Sequence, residues 1–223
     1  MNKRDPSFAV LFDLDGTLTD SETSVNKAFN SAARLNGYAL DADVLSAKFG
    51  PLMTDILVEK VGLPLEVAQA IRRDYSEIYF RDYMAVTKEM PYASVLLSQL
   101  HSKGLSLGLV TNKSESAARK VVHLLGWTRY LNVLVGSDTA RRYKPSPEPV
   151  LYAMKLLNVD PKEVAFIGDR EADMESARAA HVTEIIGLVG TREEAHLRTA
   201  GANKICNDLW EVESVLNSLI PGW

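Results

Sequence analysis

The stretch from Phe8 to Leu18, FAVLFDLDGTL, decides the fold. Its apolar run ends abruptly in two carboxylates, a glycine and a hydroxyl, which is typical of a buried parallel strand followed by a turn. Because side chains alternate along a strand, Asp13 and Asp15 leave its carboxyl end on the same side, where ligands of open α/β sheets bind. Two close carboxylates favour a cation or a shared proton, and Gly16 lets the backbone approach a ligand. Taken alone, the motif fits a plain strand-to-turn transition equally well.

The composition indicates a globular protein with a full hydrophobic core. Of the 223 residues, 46% are hydrophobic, which argues against disorder, and the formal net charge of −4 argues against a nucleic-acid-binding surface. The single cysteine, Cys206, excludes an internal disulfide bond and a cysteine-based metal site. The apolar run at 8–12 is too short to cross a membrane, and no signal peptide is recognisable before it. We therefore expect a cytoplasmic protein, and nothing in the sequence indicates its oligomeric state.

The rest of the chain predicts a helical block followed by alternating strands and helices. Helical patterns are predicted at 21–36, 41–49, 53–61 and 64 to about 84, and nothing between residues 20 and 88 resembles a strand. Beyond this block, apolar strands are predicted at 105–110, 131–135, 164–167 and 184–189, with a candidate sixth strand at 204–206. Their alternation with helices predicts an α/β fold with a doubly wound parallel sheet. We expect a core domain of residues 1–18 and 89–223, with a helical domain of residues 19–88 inserted after the first strand.

Polar side chains follow three further strands or loops at the predicted sheet edge. Thr111 and Asn112 follow the second core strand, where a hydroxyl, an amide and the free N–H groups of the next helix can cradle an anion. Lys144 opens the stiff loop KPSPEP and could neutralise a phosphate or a developing charge. Asp169 ends the fourth core strand, and Asp173 lies one helical turn later, so both carboxylates can face the same point.

Each of these features has an ordinary structural explanation, namely helix capping, a solvated lysine or a carboxylate that complements a helix dipole. Their combination at one sheet edge favours a joint site instead. Acidic oxygen ligands without histidine or cysteine suit Mg²⁺ rather than zinc. A hydroxyl and a lysine beside Mg²⁺ suit a phosphoryl group.

These motifs resemble those of the haloacid dehalogenase superfamily of phosphotransferases, and the resemblance covers almost the whole chain. The four matching segments, in order, are 13–18 (DLDGTL), 110–113 (VTNK), 144–149 (KPSPEP) and 168–173 (GDREAD). The helical insertion resembles the family's four-helix cap of the C1 type, and residues 91–95 resemble the return to the core in phosphoglycolate phosphatase-like members. The resemblance implies the sheet order 3-2-1-4-5, with the strand at 8–12 in the centre.

The resemblance also implies a role for each matching residue. Asp13 would attack phosphorus and form an aspartyl-phosphate, and Asp15 would protonate the leaving oxygen and then deprotonate water. The implied phosphoryl and substrate ligands are Asp15, Gly16, Thr111, Asn112 and Lys144. The implied Mg²⁺ ligands are Asp13, the backbone carbonyl of Asp15, and Asp169, with Asp173 as a further ligand or a support.

Two residues depart from the family pattern. Arg170 stands where relatives usually have a small hydroxylated residue, a departure that bears on the local network of metal and water. His181 stands where relatives have a glycine that ends the helix in a left-handed conformation, which histidine reaches at some cost. We interpret His181 as a detail of the fold and not as a catalyst.

Several functions fit this pattern. The implied activity is a Mg²⁺-dependent phosphatase acting on a small phosphorylated metabolite, phosphoglycolate-like by resemblance. The alternatives are a pyrophosphatase or a 5′-nucleotidase of the same superfamily, and a non-catalytic phosphate-binding or scaffold protein. Asp15 argues against a dehalogenase, which needs no second acid, and the absence of histidine from residues 19–23 argues against a phosphoglucomutase-like enzyme.

The helical domain is expected to choose the substrate. Lys48 is the candidate cap residue near the leaving group, with a solvated lysine as its alternative. The two connections, at 19–22 and about 85–91, are predicted to act as a hinge pair.

Overall fold

The apolar runs predicted as strands form a parallel sheet in the computed structural model, which describes residues 8–40, 52–190 and 193–219. The strands are β1 (Ala9–Phe12), β2 (Thr19–Asp20), β3 (Lys88–Glu89), β4 (Ser106–Val110), β5 (Val133–Val135), β6 (Val164–Gly168), β7 (Glu184–Leu188) and β8 (Lys204–Cys206). Six of them pair in the order β5-β4-β1-β6-β7-β8, and β2 and β3 form a separate two-stranded sheet. All pairings in the large sheet are parallel. The doubly wound sheet with β1 in its centre is therefore confirmed, and β8 adds a sixth strand at one edge.

The helices of the described residues follow the predicted segments with shifted ends. They are α1 (Glu22–Leu35), α2 (Leu52–Glu59), α3 (Leu65–Ile78), α4 (Ala93–Ser102), α5 (Glu115–Leu124), α6 (Glu148–Leu157), α7 (Glu171–Ala179), α8 (Glu194–Ala200) and α9 (Leu209–Leu219). A π-helical turn and a 3₁₀ turn follow α3, at Tyr79–Tyr83 and Met84–Val86. His181, just after α7, has a φ of 62°, which is the left-handed conformation that ends a helix.

The central strands are apolar along their whole length because helices cover both faces of the sheet. Every residue of β1 and of β6 is buried. One core cluster joins Leu11 of β1, Phe166 of β6, Met154 of α6 and Met174 of α7. This burial makes the centre of the sheet a rigid base for the side chains that follow β1 and β6.

The chain divides into two compact units, of which the first comprises Met1–Thr19 and Glu89–Trp223 and contains the large sheet. The described part of the second unit, Asp20–Lys88, consists mainly of helices, with one residue each of β2 and β3 at its two ends. Within it α1 and α3 pack through an edge-to-face contact of Phe29 with Tyr75, whose ring centroids are 6.3 Å apart. The helix predicted at 41–49 lies outside the described residues. Among the helices that are described, none combines the length and the apolar character needed to cross a bilayer.

Candidate active site

Three of the predicted acidic residues meet at the carboxyl edge of the sheet. Asp13 follows β1 and Asp169 follows β6, and these strands are parallel neighbours with Phe12 beside Ile167. Asp173 lies in the first turn of α7. Asp13, Asp169 and Asp173 are buried, and each offers a carboxylate oxygen within 4.8 Å of the other two. We call these three side chains the carboxylate cluster.

Two glycines give the carboxylate cluster its space. Gly16 has a φ of 93°, and a Cβ at this position would collide with the Asp169 carboxylate. A Cβ at Gly168 would collide with the side chain of Asp173. The predicted close approach at Gly16 is thus an approach to a carboxylate of the cluster, and any larger residue would displace it.

Lys144 is the buried cation of the carboxylate cluster. Its side chain is 2% exposed, and its Nζ lies 2.7 Å from Asp13 Oδ1 and 2.6 Å from Asp173 Oδ1. The same ammonium donates to the carbonyl oxygen of Val110 at 2.7 Å. An ammonium has three N–H donors, and these contacts occupy all of them. Lys144 is therefore held in one position between β4 and the two carboxylates.

Asn112 holds the backbone of Lys144. Its Nδ2 donates to the carbonyl oxygen of Lys144, and its Oδ1 accepts from the N–H of Lys144, both at 2.9 Å. Thr111 is buried, its N–H donates to the carbonyl oxygen of Val135 at 2.9 Å, and its Oγ1 accepts from the N–H of Lys113 at 3.2 Å. The structure thus directs the Asn112 amide to the lysine loop, and the predicted contacts of Asn112 and Thr111 with a phosphoryl group stay predictions.

Asp15 is not part of the carboxylate cluster. Its Oδ2 lies 3.0 Å from Nζ of Lys113, whose side chain is 8% exposed. The Asp15 side chain is more exposed than that of Asp13, 30% against 8%. Sequence analysis assigned no role to Lys113, although its place directly after Asn112 in the VTNK motif could have indicated one. Lys48, the predicted cap residue, lies outside the described residues.

Asp169 has a hydrogen-bond donor and an ion-pair partner that sequence analysis did not assign. Thr17 Oγ1 donates to Asp169 Oδ1 at 2.9 Å, and Arg170 Nε lies 3.0 Å from Asp169 Oδ2. The backbone N–H of Arg170 donates to Asp173 Oδ2 at 3.0 Å, which fixes the start of α7. Thr17 belongs to the first motif, and Arg170 was recognised only as a departure from the family pattern.

The electrostatics of the carboxylate cluster are dominated by burial. Burial raises the pKa of Asp13 to about 6, with Lys144 opposing the rise and Asp173 adding to it. Burial also raises the pKa of Asp169 to about 8; Asp173 and Asp13 add to this rise, and Arg170 opposes it. For Lys144, burial lowers the pKa, but Asp13 and Asp173 outweigh it and the net shift is upward. Asp13 and Asp169 therefore hold their protons to higher pH than free aspartate, and only with all three carboxylates ionised does the negative charge of the cluster exceed the positive charge of Lys144 and Arg170.

These residues fit a divalent metal ion. The donors of the cluster are carboxylate oxygens, which are the ligands that hard divalent cations prefer. A cation among them would relieve the repulsion that raises the pKa values of Asp13 and Asp169. Asp13, Asp169 and Asp173 are the side chains that would hold it.

The parallel sheet and the buried carboxylate cluster at its carboxyl edge define an α/β protein with an acidic site at the edge where ligands of such sheets bind. The family model described as haloacid dehalogenase-like hydrolase matches residues 10–186. The chain belongs to this family, and the resemblance of its four motifs is confirmed.

Similar proteins narrow the class further. The phosphoglycolate phosphatase of Aquifex aeolicus is 31% identical over 185 residues, which cover 81% of this chain and 84% of that protein. A Caldanaerobacter subterraneus protein named as a pyrophosphatase is 28% identical over 209 residues, which cover 93% of this chain and 94% of that protein. A crystal structure described as a predicted phosphatase from Clostridium acetobutylicum is 27% identical, has a TM-score of 0.85 and covers 95% of this chain and 98% of that one. The chain is accordingly a hydrolase of the phosphatase class.

Proposed function

We propose that this chain is a Mg²⁺-dependent phosphatase that hydrolyses a small phosphorylated metabolite through an aspartyl-phosphate on Asp13. The observation that carries the proposal is the buried Asp13 carboxylate, 2.7 Å from Lys144 Nζ and within 4.8 Å of Asp169 and Asp173. A nucleophilic carboxylate needs a charged oxygen in a site shielded from water, and Lys144 compensates that charge. Burying a carboxylate and an ammonium together costs desolvation free energy, and a strand end without a functional role does not need either charge.

In the first step an oxygen of Asp13 attacks phosphorus, a new oxygen–phosphorus bond forms, and the bond to the leaving oxygen breaks. Asp15 donates a proton to that leaving oxygen. In the second step Asp15 removes a proton from water, the water oxygen attacks phosphorus, and inorganic phosphate leaves with Asp13 restored. Lys144 stabilises negative charge on the phosphoryl oxygens throughout. Mg²⁺, when bound, would supply further charge neutralisation at these oxygens.

The position of Asp15 supports its role as acid and base. Its side chain is 30% exposed and lies outside the carboxylate cluster, whereas that of Asp13 is 8% exposed. A group that exchanges protons with a leaving group and then with water must reach solvent, and a nucleophile need not. Lys113 Nζ, 3.0 Å away, helps to hold the Asp15 carboxylate in place.

Phosphoglycolate-like compounds are our first choice of substrate, supported by the name of the Aquifex relative. Pyrophosphate is the second candidate, because the Caldanaerobacter relative matches over more of this chain. The helical unit as a substrate-selecting cap, and Lys48 within it, stay predictions.

The test is turnover of an aryl phosphate and of a panel containing phosphoglycolate, pyrophosphate and nucleoside monophosphates, each with Mg²⁺ and with chelator. We expect Asp13→Asn to lower kcat by about 10³-fold or more, since the nucleophile is lost. The control is Asp160→Asn, which changes an exposed carboxylate near the amino end of β6 and should leave the rate unchanged. Equal rates for Asp13→Asn and the wild type would refute the nucleophile, and full activity in chelator would refute the metal.

A second experiment separates Asp15 from Asp13. An alkyl phosphate has a poor leaving group that needs a proton as its bond breaks, whereas an activated aryl phosphate does not. Asp15→Asn should therefore slow the alkyl phosphate by about 10²- to 10⁴-fold and the aryl phosphate much less. An equal loss on both substrates would show that Asp15 acts on the geometry of the site and not as an acid.

A further inference from the structure

Arg170 contacts one of the two oxygens that Asp169 can offer to a metal ion. Its Nε lies 3.0 Å from Asp169 Oδ2, while Thr17 donates to Asp169 Oδ1 at 2.9 Å. Both oxygens of this carboxylate therefore have a polar partner, and the partner of Oδ2 carries a full positive charge. A guanidinium and a divalent cation on the same carboxylate oxygen would repel each other at a distance where little water screens them.

The Arg170 side chain can leave this oxygen without disturbing the rest of the carboxylate cluster. The start of α7 is fixed by the backbone N–H of Arg170, which donates to Asp173 Oδ2 at 3.0 Å and does not involve the guanidinium. The Arg170 side chain is 19% exposed, so it already lies partly in solvent, whereas that of Asp169 is 2% exposed. A rotation of the long arginine side chain would expose Asp169 Oδ2 and keep both carboxylates in place.

We propose that Arg170 is an exchangeable counterion of the metal site. It pairs with Asp169 in the metal-free protein and gives up Asp169 Oδ2 when a divalent cation binds the carboxylate cluster. This inference rests on the metal site of the proposed function. The two cations compete for one oxygen. The free energy by which Arg170 stabilises the metal-free protein is therefore subtracted from the free energy of metal binding. The metal then binds reversibly to a site that is already folded without it.

The experiment is a calorimetric titration of Mg²⁺ into the metal-free full-length protein, for the wild type and for Arg170→Ser. We expect the variant to bind Mg²⁺ about tenfold more tightly, since the Arg170–Asp169 ion pair no longer opposes binding. Arg178→Ser is the matched control, because it removes an exposed arginine from α7, the helix that begins directly after Arg170, and should change the affinity less than twofold. Unchanged or weaker Mg²⁺ binding by Arg170→Ser would overturn the proposal.

Thermal melting gives an independent readout. Arg170→Ser should lower the Tm of the metal-free protein and leave the Tm at saturating Mg²⁺ unchanged, so that the rise in Tm caused by Mg²⁺ becomes larger. If Arg170→Ser does not fold, Arg170→Gln removes the charge, keeps a hydrogen-bond donor and must show the same tighter binding. If neither the wild type nor these variants bound Mg²⁺, the metal site itself would be refuted. If all of them bound Mg²⁺ equally, only the role of Arg170 would be refuted.

Discussion

The two sides of the carboxylate cluster hold their charges in different ways. On one side Lys144 is 2% exposed and contacts Asp13 at 2.7 Å and Asp173 at 2.6 Å. On the other side Arg170 is 19% exposed and contacts Asp169 at 3.0 Å. Lys144 thus serves two buried carboxylates from inside the protein, whereas Arg170 serves one from the rim.

The difference follows from the cost of moving each cation. If Lys144 left its place, two buried carboxylates would lose their counterion and the Val110 carbonyl its donor, which costs several kcal/mol. If Arg170 left, its guanidinium would gain water and only Asp169 would need a new partner. We therefore expect the Lys144 side of the carboxylate cluster to be permanent and the Asp169 side to exchange one cation for another.

The largest expected effect is the loss of the permanent cation. Lys144→Met should lower the free energy of unfolding by about 3–5 kcal/mol, because Asp13 and Asp173 are left buried and unpaired. Arg170→Met should lower it by about 1 kcal/mol, since a rim ion pair contributes less. Urea denaturation with unchanged m-values measures both. Equal losses for the two variants would remove the distinction between a permanent and an exchangeable cation.

The pH dependence of stability should differ between the two sides in the metal-free protein. The pKa of Asp13 is raised to about 6 and that of Asp169 to about 8, from 3.8. The folded state then holds a proton that the unfolded state has released, so stability is full below about pH 4 and falls as the pH rises through the folded pKa. Each group lowers the free energy of unfolding by up to about 1.4 kcal/mol per pH unit within its window.

Asparagine variants isolate the two windows. The difference in free energy of unfolding between the wild type and Asp13→Asn should stop changing near pH 6. The difference between the wild type and Asp169→Asn should continue to change to about pH 8. Asp13 and Asp173 face Asp169 and extend its window, and Arg170 limits it. Saturating Mg²⁺ should remove both declines, because it binds the ionised carboxylates. If the free energy of unfolding of the wild type, relative to either variant, rose between pH 5 and 8, the upward pKa shifts of Asp13 and Asp169 would be contradicted.

The sequence predicts what the strands alone determine. The apolar runs place β1 in the middle of the sheet, and the carboxyl ends of parallel strands meet at one edge, so Asp13, Asp169 and Lys144 could be predicted to converge. A helical pattern does not reveal where the hydrogen-bonding register changes, so the π-helical turn at Tyr79–Tyr83 after α3 was not predicted.

Side-chain partners across long separations could not be predicted. Thr17 donates to a residue 152 positions away, and the sequence does not say which of several nearby hydroxyls takes that place. The partners of Lys113 and Arg170 depend on rotamers that the packed site selects. The sequence predicted Asn112 to be an anion ligand. Its actual contact with the Lys144 backbone depends on how the loop before Lys144 returns to β4, and the sequence does not reveal that path.

Asn112 gives the prediction with the smallest effect. Its side chain accepts from the N–H of Lys144 and donates to the Lys144 carbonyl oxygen, both at 2.9 Å. These two hydrogen bonds fix the backbone from which the Lys144 ammonium extends. Asn112→Ala should lower kcat by about 10- to 100-fold, because a displacement of about 1 Å at a charge-stabilising group has an effect of this size. Asn203→Ala is the matched control, since Asn203 bridges the Ile185 N–H and the Thr183 carbonyl in the same way at the amino end of β7. Its loss should cost similar stability and no turnover.

A double-mutant cycle tells a positioning role from direct contact with phosphate. If Asn112 acts only through Lys144, Asn112→Ala should lower kcat in the wild type but have almost no effect in a Lys144→Met background. If its amide binds the phosphoryl group directly, the two losses should add. Measured kcat values for the four proteins, at saturating substrate and Mg²⁺, decide between these outcomes. Additive losses would return Asn112 to the set of phosphate ligands and leave Lys144 held by Asp13, Asp173 and the Val110 carbonyl alone.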